Sequence, residues 1–377
     1  MAVVNENGER TLRTRATDHI AVAVGTTKGL FFLSDGIADG PYFAGAEVPT
    51  FTQVKGRYLT AVVDDRFGTT VCWSDDGGRG WYRPDKPAIS FPPETGADLE
   101  RVWQLHLDQS GICGTGGAPI VYAGVEPAAL FGSLDGGESY ELVRSLWDHP
   151  DRASWSPGRG GLCLHTIITH PDRPERILVA ISAGGVYRSD DSGKSFSARN
   201  EGIEPRLLPD TLPAHGQCVH KVALDASGPD VLWLQNHFGV YRSEDAGDHW
   251  VNVGRPGEEG GLPSDFGFPV VTHPVDHETC LVFPLESDQY RAAAGGQCRV
   301  YRTTDSGKSW EPLGDGLPQM NAHLSVLRDA FTVQDSAPYA LAFGTRTGQV
   351  YASIDLGESW RLFAEHLPPV LCLRILS

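Results

Sequence analysis

The chain of 377 residues carries 31 Lys+Arg against 48 Asp+Glu, a formal charge of −17. That balance repels phosphate-rich surfaces, which excludes nucleic acid and anionic membrane faces as partners. A hydrophobic share of 40% suffices for a large core and excludes global disorder. Length alone suggests two domains of roughly 100–200 residues each. The 44 Gly, 26 Pro, 9 Trp, 11 Tyr and 15 Phe favour β-structure rich in turns.

Residues 1–18 are polar and read as a flexible segment. They lack the basic start and apolar run of a leader, and no stretch reaches the roughly 18 apolar residues of a membrane span. Seven cysteines, an odd number without tight spacing, read as free thiols of a reducing cytoplasm. Residues 20–24 and 29–33 then form two apolar strands, followed by a degraded turn, Ser34-Asp35-Gly36.

From there one motif recurs. Ser74-Asp75-Asp76-Gly77-Gly78-Arg79-Gly80-Trp81 returns with its Asp at positions 135, 191, 245, 305 and 355, in the pattern [ST]-x-D-x-G-x-x-aromatic. The period of about 50–60 residues is that of a propeller blade. Each copy reads as a turn between two strands: the carboxylate accepts backbone N–H bonds, the Gly supplies a positive φ, and the aromatic residue opens the next strand. Apolar runs precede the copies, as at 177–181 with 185–189, 231–234 with 239–243, and 339–343 with 349–353. Further strands, such as 164–170 and 219–224, open the blocks. Each unit is thus a four-stranded antiparallel blade, strands a to d from the channel outward, with the motif at the c–d turn. Six motifs and the first block make a seven-bladed, all-β propeller in one domain, 1–377. Residues 370–376 supply the missing inner strand of the first blade and close the ring. The alternative is six blades and a stray hairpin.

The motif resembles the Asp-box, or BNR, repeat of sialidases, sortilin-type receptors, xyloglucanases and photosystem II assembly factors. The segments 216–221, 236–237 and 262–269 resemble those of bacterial proteins labelled exo-α-sialidase-like or BNR-repeat glycosyl hydrolases. A sialidase resemblance implies an arginine triad, for which Arg66, Arg346 and Arg374 are candidates, but the sequence has no Arg-Ile-Pro. A xyloglucanase resemblance implies paired carboxylates.

The b–c turns and d–a connections of such a ring share one face, around the channel mouth. The long connections 141–161, 197–216 and 252–266 and the b–c excursion 286–297 all fall there, which points to a binding site. A quieter register repeats on the inner strands: Cys163-Leu164-His165, Cys218-Val219-His220, Asn321-Ala322-His323 and Cys372-Leu373-Arg374. His165, His220 and His323 are the expected metal ligands, for a divalent transition metal such as zinc. Glu126 and Asp265 with His165 and His220 are the expected catalytic groups. Gln217, Asn236, His237, Arg346 and Arg374 are the expected ligand-binding residues. The cysteines read as small packing residues. The resulting expectation is an enzyme of hydrolase or lyase type acting on a glycan or small metabolite. The alternatives are a non-catalytic scaffold for a protein partner, or a small-ligand binding module.

Overall fold

The computed structural model describes residues 20–34, 37–205, 214–337 and 339–376, together with the backbone of a short pairing between Val3–Val4 and Arg10–Thr11. The rest of the expected flexible segment and the Asp35-Gly36 part of the degraded turn lie outside these residues.

Seven antiparallel sheets follow one another round a ring. Blade 4 illustrates the unit. Leu164–Thr169, Ile177–Ile181, Gly185–Ser189 and Ser197–Ala198 pair in chain order from the channel outward. Blade 5 repeats it with Val219–Leu224, Leu232–Asn236, Gly239–Ser243 and Val251–Asn252. Blade 3 begins at Arg101–Leu107, blade 6 at Gly267–His273 and blade 7 at Phe331–Val333. Blade 2, from Glu47–Val54 through Arg57–Asp64 to Gly68–Ser74, has its outermost strand reduced to one bridge between Trp73 and Tyr82.

Blade 1 closes the ring. Val370–Leu376 is its inner strand and pairs with Ala21–Thr26, with Leu373 opposite Val24 and Leu376 opposite Ala21. Gly29–Ser34 and Ile37–Tyr42 complete the sheet. Every inner strand touches the inner strand of the next blade, from the first to the seventh and back to the first. A stray hairpin beside six blades is thereby excluded.

The core lies between blades rather than at one centre. Strands of β-branched and aromatic residues present both faces to neighbours, so Ile177–Ile181 and Gly185–Ser189 are buried at every position. Trp233, Tyr187, Phe283 and Phe343 are almost fully enclosed, each large side chain contributing roughly 1.5–3 kcal/mol of transfer free energy. At the rim the six motif turns repeat one hydrogen-bond set. In the copy at 303–310, Thr303 Oγ1 donates to Asp305 Oδ1 (2.8 Å), and the Gly307 N–H donates to Thr303 Oγ1 (2.8 Å). The Ser309 N–H and hydroxyl donate to the two oxygens of Asp305 (2.9 and 2.6 Å). The expected positive φ at Gly307 (85°) is present, and Ser306 before it is also left-handed (62°). No helix of the described residues is long and apolar enough to cross a membrane.

Candidate functional site at the channel mouth

The b–c turns and d–a connections surround a cavity in two contiguous lobes of about 530 and 540 Å³. Trp103, Arg159, Phe268, Arg291 and Arg328 border both lobes. Glu126 and Arg346 lie in the first; Cys218, His220 and His237 lie in the second.

Two bulges shape the second lobe. The ladder of blade 4 steps from Leu164–Ile181 to Thr166–Ala180, leaving His165 unpaired in register. Blade 5 steps from Val219–Asn236 to Lys221–Gln235, leaving His220 in the same place. A bulge bends the strand and re-aims its side chain, and both imidazoles turn sideways toward the next blade. His165 Nε2 meets the Val219 carbonyl (3.0 Å), and its Nδ1 is engaged by the Thr166 hydroxyl (3.0 Å). His220 makes the matching contact through the other nitrogen, Nδ1 to the Gly267 carbonyl (2.6 Å). A carbonyl only accepts, so Nδ1 carries the proton and Nε2 of His220 keeps its lone pair.

That Nε2 lies 3.9 Å from Cys218 Sγ. The His237 ring, from the b–c turn of blade 5, stands nearly perpendicular to His220 with centroids 4.6 Å apart. One ligand atom from each of Cys218, His220 and His237 falls within 4.8 Å of the others. Phe266 packs on both imidazoles and Phe268 on His220. Burial, with His237 adding to it, drives the His220 pKa well below its ordinary value. Burial also lowers that of His237, opposed by Asp288 and assisted by Arg291 and Arg159. Both shifts favour the neutral imidazole, the form that binds a metal. Burial pushes the Cys218 thiol up.

The expected metal trio of His165, His220 and His323 does not meet. His165 has both nitrogens committed inside the wall. His323 is exposed in the loop before blade 7, where Tyr290 Oη is 2.7 Å from its Nδ1; the inner strand of that blade is Phe331–Val333 instead. Cys218, read as a packing residue, is the member that sequence reasoning missed. Its signal was present in the alternation of Cys218 with His220.

Among the carboxylates, Glu126 faces the first lobe and accepts from Trp103 Nε1 (3.0 Å). Burial raises its pKa against that hydrogen bond, which favours a proton-bearing carboxyl closer to neutrality. Asp265 lines neither lobe; its backbone carbonyl accepts from Gln235 Nε2 (3.0 Å). Gln217 and Asn236 are buried, and Asn236 Oδ1 accepts the Phe238 N–H (2.7 Å) to hold the turn that carries His237. Arg374 lies beneath the mouth, 3.6 Å from Asp329, which pairs across the channel with Lys221 (2.5 Å). Below this cluster a further cavity of about 540 Å³, bordered by Arg374 and His106, opens at the opposite end. Arg66 is exposed in the b–c turn of blade 2 and borders no part of the mouth, so the three arginines considered for a triad do not assemble.

No family model matches the sequence, and no curated protein matches it. Solved structures do. An ancestral GH74 enzyme is similar over 88% of this chain and 38% of its own length, at 15% identity and a TM-score of 0.53. YCF48 bound to D1 peptide is similar over 93% of this chain and 87% of its own, at 14% identity and a TM-score of 0.50. YCF48 from Cyanidioschyzon merolae matches 84% of each chain at 12% identity and a TM-score of 0.49. At such identities the likeness shows the propeller fold alone. The chain spans well under half the length of the GH74 enzyme.

Proposed function

We propose that the protein is an enzyme of hydrolase or lyase type acting on a small molecule at the channel mouth, assisted by a transition-metal ion such as zinc. The observation that carries the reading is Nε2 of His220 meeting Cys218 and His237 on the wall of an open cavity. One thiol, deprotonated on binding the metal, and two neutral imidazoles are borderline-soft donors that suit zinc, and three protein ligands leave a position open to the lobe. The Nδ1–H bond from His220 to the Gly267 carbonyl is the kind of outer contact that orients a ligating imidazole. A cation held there would supply Lewis acidity. Glu126, raised by burial and held by Trp103, is the proton donor or acceptor on the other side of the mouth.

The test is zinc titration of metal-free, untagged protein, followed by competition with a chromogenic chelator. Wild type binds one zinc; Cys218→Ser and His237→Ala weaken it by at least about tenfold, and His323→Ala leaves it unchanged. Absence of stoichiometric uptake by wild type removes the metal reading. The scaffold reading draws on the likeness to YCF48 bound to D1 peptide. It predicts a protein partner whose capture is lost when the mouth is altered at His237.

A further inference from the structure

The chain is strongly acidic as a whole, yet its channel mouth gathers arginines that carboxylates do not pair. Arg159, Arg291, Arg328 and Arg346 all border the cavity, and among the described residues none of them forms an ion pair with a carboxylate. Many arginines elsewhere are matched, as Arg57 is by Asp75 and Glu138, and Arg302 by Glu311 and Glu358. At the mouth itself Arg101 is satisfied by Glu47, and Asp329 is consumed by Lys221 and Arg374.

Three of the unmatched guanidiniums are held in place by neutral groups. Arg328 Nε donates to the His220 carbonyl (2.9 Å), with its plane over the Trp103 and Phe268 rings. Arg291 Nε and Arg159 Nη1 both donate to the Asp288 carbonyl (3.3 Å each), which gathers two positive charges on one backbone oxygen. Arg291 also lies against Phe266 and Phe268. Aromatic faces and backbone carbonyls fix a guanidinium without neutralising it, so the N–H groups not used in these contacts remain available for an oxyanion. The Asp288 and Glu126 carboxylates share the mouth but stand outside ion-pair distance of all three arginines.

We infer that Arg159, Arg291 and Arg328 form a clamp for the oxyanion group, carboxylate or phosphate, of the small molecule that this site takes. The inference rests on the proposed catalytic reading only for what happens to that molecule; the clamp itself binds with or without a metal. It makes the substrate an anion rather than a neutral glycan.

Calorimetric titration at low ionic strength tests it, with inorganic phosphate and, separately, malonate as probes, each added to zinc-treated and to metal-free protein. Saturable binding of one or both anions is expected at about 1 mM or tighter. Arg159→Gln and Arg291→Gln each weaken it by at least about tenfold; Arg79→Gln, on a motif turn at the opposite face, does not change it. Preference for one anion identifies which oxyanion the site takes. Arg159 is exposed, so its variant folds even where Arg291→Gln does not. If neither anion saturates either form, or both variants bind as wild type does, the clamp is overturned. Anion binding by protein that takes up no zinc leaves the clamp and removes the metal centre. Zinc uptake without anion binding does the reverse.

Discussion

His165 and His220 occupy equivalent bulges in adjacent blades, and their next neighbours separate their fates. Thr166 supplies a hydroxyl that occupies the second nitrogen of His165, completing a buried polar contact within the wall. At the same place after His220 stands Lys221, whose ammonium reaches Asp329 instead, and the ring nitrogen facing the lobe meets the Cys218 sulfur at 3.9 Å. One side chain thus divides a structural imidazole from a candidate ligand. The same scale governs the motif turns, where a single carboxylate gathers most of the local hydrogen bonds. Asp355 accepts from Ser353 Oγ (2.7 Å), the Ser359 N–H (3.0 Å) and Ser359 Oγ (2.5 Å). Asp355→Ala should cost about 1–2 kcal/mol, since the freed donors reach water at this partly exposed turn; urea denaturation measures it.

At the scale of the element, the closing strand carries more than its length suggests. Leu373 is fully buried between blades 7 and 1. Leu373→Ala should destabilise the protein by about 2–5 kcal/mol. Leu362→Ala on the outermost strand of blade 7, where the side chain is half exposed, should stay within about 0.5 kcal/mol. Guanidinium denaturation of both variants checks the contrast. Strands and turns were legible in the sequence for a local reason. A motif turn is made by eight consecutive residues, so its chemistry is written where it acts, and six copies at blade spacing imply the sheets between them. The closing role of Val370–Leu376 followed from counting strands. The mouth was legible only as a place. Arg159 and Arg291 lie inside the long loops 141–161 and 286–297, which pointed to the right face, but no local pattern marks either residue. The bulges hid the rest. A one-residue step in register turned His165 into the wall, and His323 sits on a loop rather than on the inner strand its spacing suggested.

At the scale of the whole molecule, acid is the condition that reaches six of the seven blades together. The six motif carboxyls all titrate below their ordinary value of 3.8. At Asp191 the Ser195 hydroxyl and N–H and the Ser189 hydroxyl lower it to about 2. At Asp135, Asp245, Asp305 and Asp355 burial pulls upward and the hydrogen bonds outweigh it. Burial likewise raises Asp329 in the channel, but Lys221 and Arg374 hold it below 3.8. A carboxyl depressed in the fold stabilises it fully above its unfolded pKa and loses that contribution as pH falls through its folded value. The buried imidazoles of His106, His165 and His220, held below 6.5 by burial, already withdraw stability as pH falls below about 6.5, and the carboxyls add a steeper loss between about pH 4 and about pH 2. Denaturant midpoints measured across that range check it, and a midpoint that stays level to pH 2 would overturn the assignment.

The seam in blade 1 has a mechanical meaning as well. Ala21 and Leu376 face each other across an antiparallel pair, so tension applied at those two residues acts across the strands rather than along them. Such a load meets the rungs one after another, like a zip drawn from its open end, instead of shearing them all at once. The ring is closed, yet under traction it has a defined place to come undone, between Ala21–Thr26 and Val370–Leu376.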